Sequence, residues 1–169
     1  MADILNCSLD NFAREKTIRL VLKVDQFFKR SKLGSIWGTL YFQLDDNEFY
    51  PEKGWTDLVG AFLRIWLSAL ISIADGSQKK QDASFLDGPL TVYLSSDDRN
   101  LVQLTFVHRE ATRYSATATT KELLGNAITV AKDFLVLCRQ RDWANDDTEA
   151  VAALTRQGIQ ALGQLRVGA

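Results

Sequence analysis

Acid–base, metal and nucleophilic chemistry each need particular side chains at particular spacings, and this chain of 169 residues offers few of them. His108 is its one histidine, followed directly by Arg109 and Glu110. A single imidazole builds no multi-histidine metal site, and Cys7 and Cys138 lack the CxxC spacing that would complete a zinc site beside it. A nucleophilic relay through His108 would need an activated serine or cysteine, and no GxSxG or catalytic-cysteine context surrounds any of them. The glycine patterns that cradle phosphates, GxGxxG and the P-loop, are missing too. No cofactor and no metal are therefore expected. Carboxylate chemistry stays open, because acids distant in sequence can meet in space and raise one another's pKa. Nothing in the sequence marks a particular pair.

What stands out is acid clustered around aromatics in segments that read as loops. Asp45, Asp46, Glu48, Glu52 and Asp57 surround Phe49, Tyr50, Pro51 and Trp55, with Lys53 the only base among them. Asp142, Asp146, Asp147 and Glu149 surround Trp143. Such acids also serve solvated loops and the first turns of helices, where they complement the helix dipole. The sharper reading is a recognition surface, since aromatic anchors inside a charged rim are what a protein–protein hot spot needs. Its expected contact residues are Asp45, Asp46, Glu48, Tyr50, Glu52, Trp55, Asp142, Trp143 and Asp146. The segment from Arg14 to Lys32 has the opposite sign, with Arg14, Lys16, Arg19, Lys23, Lys29, Arg30 and Lys32 against Glu15 and Asp25. A nucleic-acid adaptor would use that segment, but no RNP-type aromatic motif interleaves it.

Composition narrows the class. With 46% hydrophobic residues, 24% charged, 10 Gly and 2 Pro, the chain reads as one globular domain over residues 1–169. Twenty bases against twenty-one acids leave a formal charge of −1, too weak a field to gather nucleic acid on its own. Two distant cysteines and a start without a basic, apolar leader favour a reducing, cytoplasmic setting. The longest apolar run, Leu58 to Ala74, would reach about 25 Å as a helix against a hydrocarbon core of about 30 Å, with Arg64 close to its middle. It reads as a buried helix rather than a membrane span. Thr56 and Asp57 mark its start, and Asp75-Gly76 its stop.

The remaining elements follow from periodicity. Thr17 to Val24 and Ser35 to Leu44 alternate with the period of half-buried strands, with Lys29 to Gly34 as the polar turn between them. Asp3 to Leu9 alternates more weakly, as an edge strand would. Ser77 to Asp82 reads as a linker. Leu90 to Leu94, Val102 to Phe106 and Thr112 to Ala118 then form a three-strand meander. Thr119 and Glu122 have capping-box spacing ahead of a helix that runs to Cys138, and a last helix starts near Asp146 or Asp147. The order β-β-α-β-β-β-α-α predicts an α+β fold: an antiparallel sheet of about five or six strands with helices packed against it.

The run Phe49-Tyr50-Pro51-Glu52-Lys53-Gly54-Trp55-Thr56-Asp57-Leu58, leading into a helix with Trp66-Leu67 and Ala69-Leu70, resembles small bacterial immunity proteins encoded beside polymorphic or contact-dependent toxins. Leu86-Asp87-Gly88-Pro89-Leu90 opening a strand, and Arg141-Asp142-Trp143 closing a helix, are similar to the same group. The resemblance implies a non-enzymatic, cytosolic inhibitor whose partner is one cognate toxin domain, with its active site occluded. It carries no catalytic residues with it. A small enzyme using a carboxylate pair is the competing expectation, and the adaptor on the 14–32 segment the third.

Overall fold

The computed structural model describes residues 17–30 and 34–167, apart from the side chains of 29, 30, 166 and 167. The expected strand at Asp3 to Leu9, Cys7, and the bases Arg14, Lys16 and Lys32 lie outside the described residues. The fold is α+β with antiparallel sheets, as the periodicity predicts. Its strands are split between two four-stranded sheets rather than gathered in one.

The first sheet is built on β2 (Ser35–Asp45), which pairs with β1 (Arg19–Arg30) along one edge. Its other edge is shared by β3 (Glu48–Tyr50), beside its end, and β4 (Thr56–Leu58), beside its start. Helix α1 (Val59–Ala74) follows, then the second sheet, β5 (Lys80–Ser84), β6 (Leu90–Ser95), β7 (Leu101–His108) and β8 (Ala111–Thr119), a simple meander. Helices α2 (Thr120–Gln140) and α3 (Asp146–Val167) complete the order and pack with α1. Three strands escape a sequence reading for one reason: β3 and β4 have three residues each, and β5 is polar, so none shows an alternation long enough to register.

An aromatic knot joins the two sheets to α1. Phe42 of β2 meets Phe62 and Trp66 of α1, Phe85 after β5 and Phe106 of β7, with ring centroids 5.0 to 6.1 Å apart in edge-to-face geometry. That arrangement sets positive ring edges against negative faces, and adds to the large apolar area each ring buries. Trp66 is only 1% exposed, so the helix predicted from Leu58 to Ala74 is indeed interior on that face, while Arg64 reaches out to Asp147 at 3.2 Å. Among the described residues no helix is long and apolar enough to cross a membrane.

The start of α1 differs from expectation. Thr56 and Asp57 belong to β4, and Leu58 is the N-cap without a side-chain cap bond. Asp57 instead turns inward and is fully buried. Its Oδ1 accepts from Leu58 N at 2.6 Å and from Leu86 N at 3.2 Å. Its Oδ2 accepts from Trp55 Nε1, Leu86 N and Asp87 N at 3.0 to 3.2 Å. A carboxylate taken from water needs such donors, and these four come from Trp55 just before β4, from Leu58 where β4 passes into α1, and from Leu86 and Asp87 in the β5–β6 connection.

Edge β1 is closed by side chains of α2. The Asn126 amide accepts from Leu20 N at 2.7 Å and donates to Leu20 O at 3.2 Å, standing in for a strand partner. Arg141 Nη1 donates to Phe27 O at 3.2 Å. The register of β1 on β2 slips between Lys23 and Phe27, so Val24 is exposed and Phe27, not Val24, continues the inward row. Phe27 lies so close to Gly38 that a Cβ there would meet its ring at 2.8 Å.

Three outcomes test this architecture by urea denaturation. Asp57→Asn replaces an acceptor with an amide that faces N–H groups, and should cost about 1.5–3 kcal/mol. Gly38→Ala should cost about 1–3 kcal/mol through the clash with Phe27. Gly125→Ala, at an open position inside α2, should add about 0.5–1 kcal/mol of stability.

Candidate functional site

Between the β2–β3 hairpin of the first sheet and the β7–β8 hairpin of the second lies an open cleft of about 490 Å³. One wall is contributed by Leu44, Asn47, Glu48, Phe49, Tyr50 and Pro51. The facing wall is His108 and Arg113 with Leu90 and Tyr114. Local irregularities shape both walls. The pairing of β2 with β3 steps from Gln43↔Phe49 to Asp45↔Glu48, leaving Leu44 as an extra residue. The pairing of β7 with β8 steps from Phe106↔Tyr114 to Val107↔Thr112, leaving Arg113 as an extra residue. A bulge re-aims the side chain it carries, and here it lets Arg113 and its neighbour Tyr114 line the same cleft, which regular alternation forbids. The β7–β8 turn has Arg109 and Glu110 both at positive φ, 49° and 69°, the backbone a two-residue hairpin requires.

Tyr50 holds the two walls together. It is 3% exposed, and its hydroxyl donates to Val107 O at 2.5 Å while lying 3.2 Å from Thr91 O. Its ring packs edge-to-face on Phe85 and Phe106. Burial pushes its phenol up to about 12. The sequence reading offered Tyr50 as a partner contact; it is corrected here to an interior strut, because its polar atom is spent on the opposite sheet.

The other expected contacts fall in two places. Asp45, Asp46 and Glu48 are exposed on the β2–β3 turn, beside the cleft, and Glu52 is exposed just beyond Pro51. Lys53, the one base of that cluster, lies over the Phe49 ring at 5.4 Å. Trp55 is half-buried, with its indole N–H on Asp57. Asp142, Trp143 and Asp146 belong to the α2–α3 connection. Asp142 is exposed at φ 53°, and Trp143 is half-buried beneath the Arg141 guanidinium, 4.9 Å from its ring. Asn145 caps α3 reciprocally with Thr148, leaving Asp146 exposed in the first turn. The Asn145 amide also donates to Gly34 O at 2.8 Å. That bond places Asp142 and Asp146 near the start of β2, whereas Asp45, Asp46 and Glu48 occupy its end, and Trp55, whose carbonyl accepts from Leu40 N, lies between. Along the strand, Gly34 and Asp45 are about 35 Å apart.

Arg19 and Lys23, the described bases of the segment proposed for nucleic acid, are exposed along β1. Among the described residues, no group of three or more His, Cys, Asp or Glu is placed to hold a metal. A shallower hollow of about 270 Å³ lies against the β6–β7 turn. Its Asp98 carboxylate already accepts from Asn100 N and Leu101 N at 2.9 and 3.0 Å, and bonds from the N–H groups of Leu101 and Asn100 hold that carboxyl below its usual range.

Sequence reasoning missed His108, Arg113, Asn47 and Tyr114 as parts of one site. The available signal was the positive-φ pair at Arg109-Glu110, which a tight hairpin demands but which no Gly, Asn or Asp announces. Comparison of the chain with family models, curated proteins and solved structures finds no match.

Tyr50 supplies a pH test. Its folded-state pKa lies above the ordinary value of 10, so the stability it contributes is complete below pH 10 and declines as pH climbs from 10 through about 12, where unfolded tyrosine ionises first. Tyr50→Phe should be about 1–2 kcal/mol less stable than the parent at neutral pH for want of its hydroxyl bonds. Urea midpoints measured at rising alkaline pH should show that deficit shrinking.

Proposed function

We propose that the chain is a non-enzymatic inhibitor of another protein, of the kind that protects a bacterium from a toxin domain, and that the β2–β3 hairpin is its binding element. The observation that carries this reading is the hairpin itself: three exposed acids, Asp45, Asp46 and Glu48, on a tight turn whose strand is pinned by Tyr50 to the second sheet. A pinned turn loses little conformational freedom on binding, so more of its contact energy appears as affinity. Clustered acids steer a basic surface into place, and toxin domains that act on nucleic acid or nucleotides present such a surface around their active sites.

The competing enzyme needs two facing carboxylates. Glu48 is the one acid among the residues lining the cleft, and across from it stand His108 and Arg113. That wall suits the holding of a ligand better than proton exchange between two acids.

Co-expression with a toxin domain encoded next to this chain tests the proposal. The parent should restore growth and bind the purified domain. Asp45→Lys with Asp46→Lys should lower the association rate roughly tenfold or more at low salt and flatten its salt dependence. Asp142→Lys with Asp146→Lys, about 35 Å away, should leave binding unchanged. Equal protection by the Asp45/Asp46 variant would remove the hairpin from the interface.

A further inference from the structure

The cleft carries opposite charges on opposite walls: Glu48 on the β2–β3 side, and Arg113 with His108 on the β7–β8 side. Groups of opposite sign on one cleft pair when their charged atoms come within about 4 Å. Among the described residues, however, the one ion pair is Arg64–Asp147, on the helices. Glu48 and Arg113 are both exposed, and both line the cleft. The apolar surface of the lining comes from Phe49 and Pro51, both half-buried, with Leu44, Tyr50 and Leu90 almost wholly buried behind them. Its volume, about 490 Å³, falls within the range of small-molecule sites, about 300–1,000 Å³.

We infer that this cleft binds a small zwitterion with an apolar body, of the α-amino-acid class. Glu48 accepts hydrogen bonds from the ligand's ammonium group. Arg113 presents its planar fork to the ligand's carboxylate, the geometry guanidinium matches best, and His108 adds a second donor beside it. The ligand's side chain lies on Phe49 and Pro51. Two features argue that the walls are built to this spacing. The bulge at Arg113 takes that residue out of the regular row of β8 and into the cleft, and the bulge at Leu44 bends β2 where the Glu48 turn begins. The Tyr50 hydroxyl then fixes one wall to the other through the carbonyls of Thr91 and Val107. This site shares Glu48 with the acidic turn of the hairpin, whereas His108 and Arg113 belong to the cleft alone, and its occupancy does not depend on a partner protein.

Free L-phenylalanine is a suitable probe, followed by amide chemical shifts and calorimetry on the full chain. Saturable binding should map to Asn47, Glu48, His108 and Arg113. N-acetyl-phenylalanine, which lacks the ammonium, and phenylalaninamide, which lacks the carboxylate, should each bind about tenfold or more weakly. Glu48→Gln should erase the difference between L-phenylalanine and its N-acetyl form, and Arg113→Gln the difference between L-phenylalanine and its amide. Those paired losses identify which charge reads which end, and a merely destabilised variant would not produce them. Equal binding of all three compounds would overturn the inference, as would shifts mapping elsewhere or no saturable binding at millimolar concentration. Toxin protection surviving in the Arg113→Gln variant would leave the inhibitor reading standing whichever way the amino-acid titration falls.

Discussion

A carboxylate without solvent and without a cation holds the first sheet, the first helix and the second sheet in one arrangement. Asp57 satisfies its lone pairs with four N–H donors, and because those donors are Trp55 just before β4, Leu58 where β4 passes into α1, and Leu86 and Asp87 between β5 and β6, none can move without leaving a buried carboxylate short of a donor. The cost of such a loss is what makes the interaction directional. Apolar packing is less directional and resists a slide of one sheet over the other less sharply than a carboxylate held by fixed N–H donors.

Once that corner is set, the aromatic knot around Phe42 can close from both sides. Phe42 comes from the first sheet, Phe62 and Trp66 from the helix that Asp57 starts, Phe85 from the connection Asp57 grips, and Phe106 from the second sheet. Tyr50 extends the knot toward the surface and ends it with a polar atom placed on the backbone of β7. The cleft lies beside Tyr50, so its charged walls and the acidic turn stand next to a strand fixed to the second sheet by a hydrogen bond and ring contacts, the arrangement a pre-organised binding element needs.

Much of the fold is legible without coordinates. Alternation in Ser35 to Leu44 and in the three strands after Pro89, the capping box at Thr119 and Glu122, and the Asp75-Gly76 stop all match the observed elements to within a few residues. Those signals are local, arising from side-chain periods and end groups over spans of ten residues or so. The acids at Asp45, Asp46 and Glu48 are legible as exposed for a similar reason: a charged turn cannot be buried without partners. Asp57 was read as a surface acid by the same rule, wrongly, because its partners are backbone N–H groups that sequence composition does not advertise.

The amino-acid order alone therefore determined the class of fold, the approximate bounds of β2, α1 and α2, the interior character of Leu58 to Ala74 and the chemical poverty that turns attention from catalysis to binding. Tertiary structure decided that the strands form two sheets, that Asp45, Asp46 and Glu48 lie at the other end of β2 from Asp142 and Asp146, that Tyr50 is a strut, and that Glu48, His108 and Arg113 line one cleft. The division has a physical cause. Periodicity records which face of an element avoids water, whereas the meeting of two walls more than fifty residues apart depends on bulges and on a buried carboxylate, each set by a few hydrogen bonds that leave no repeating trace in the chain.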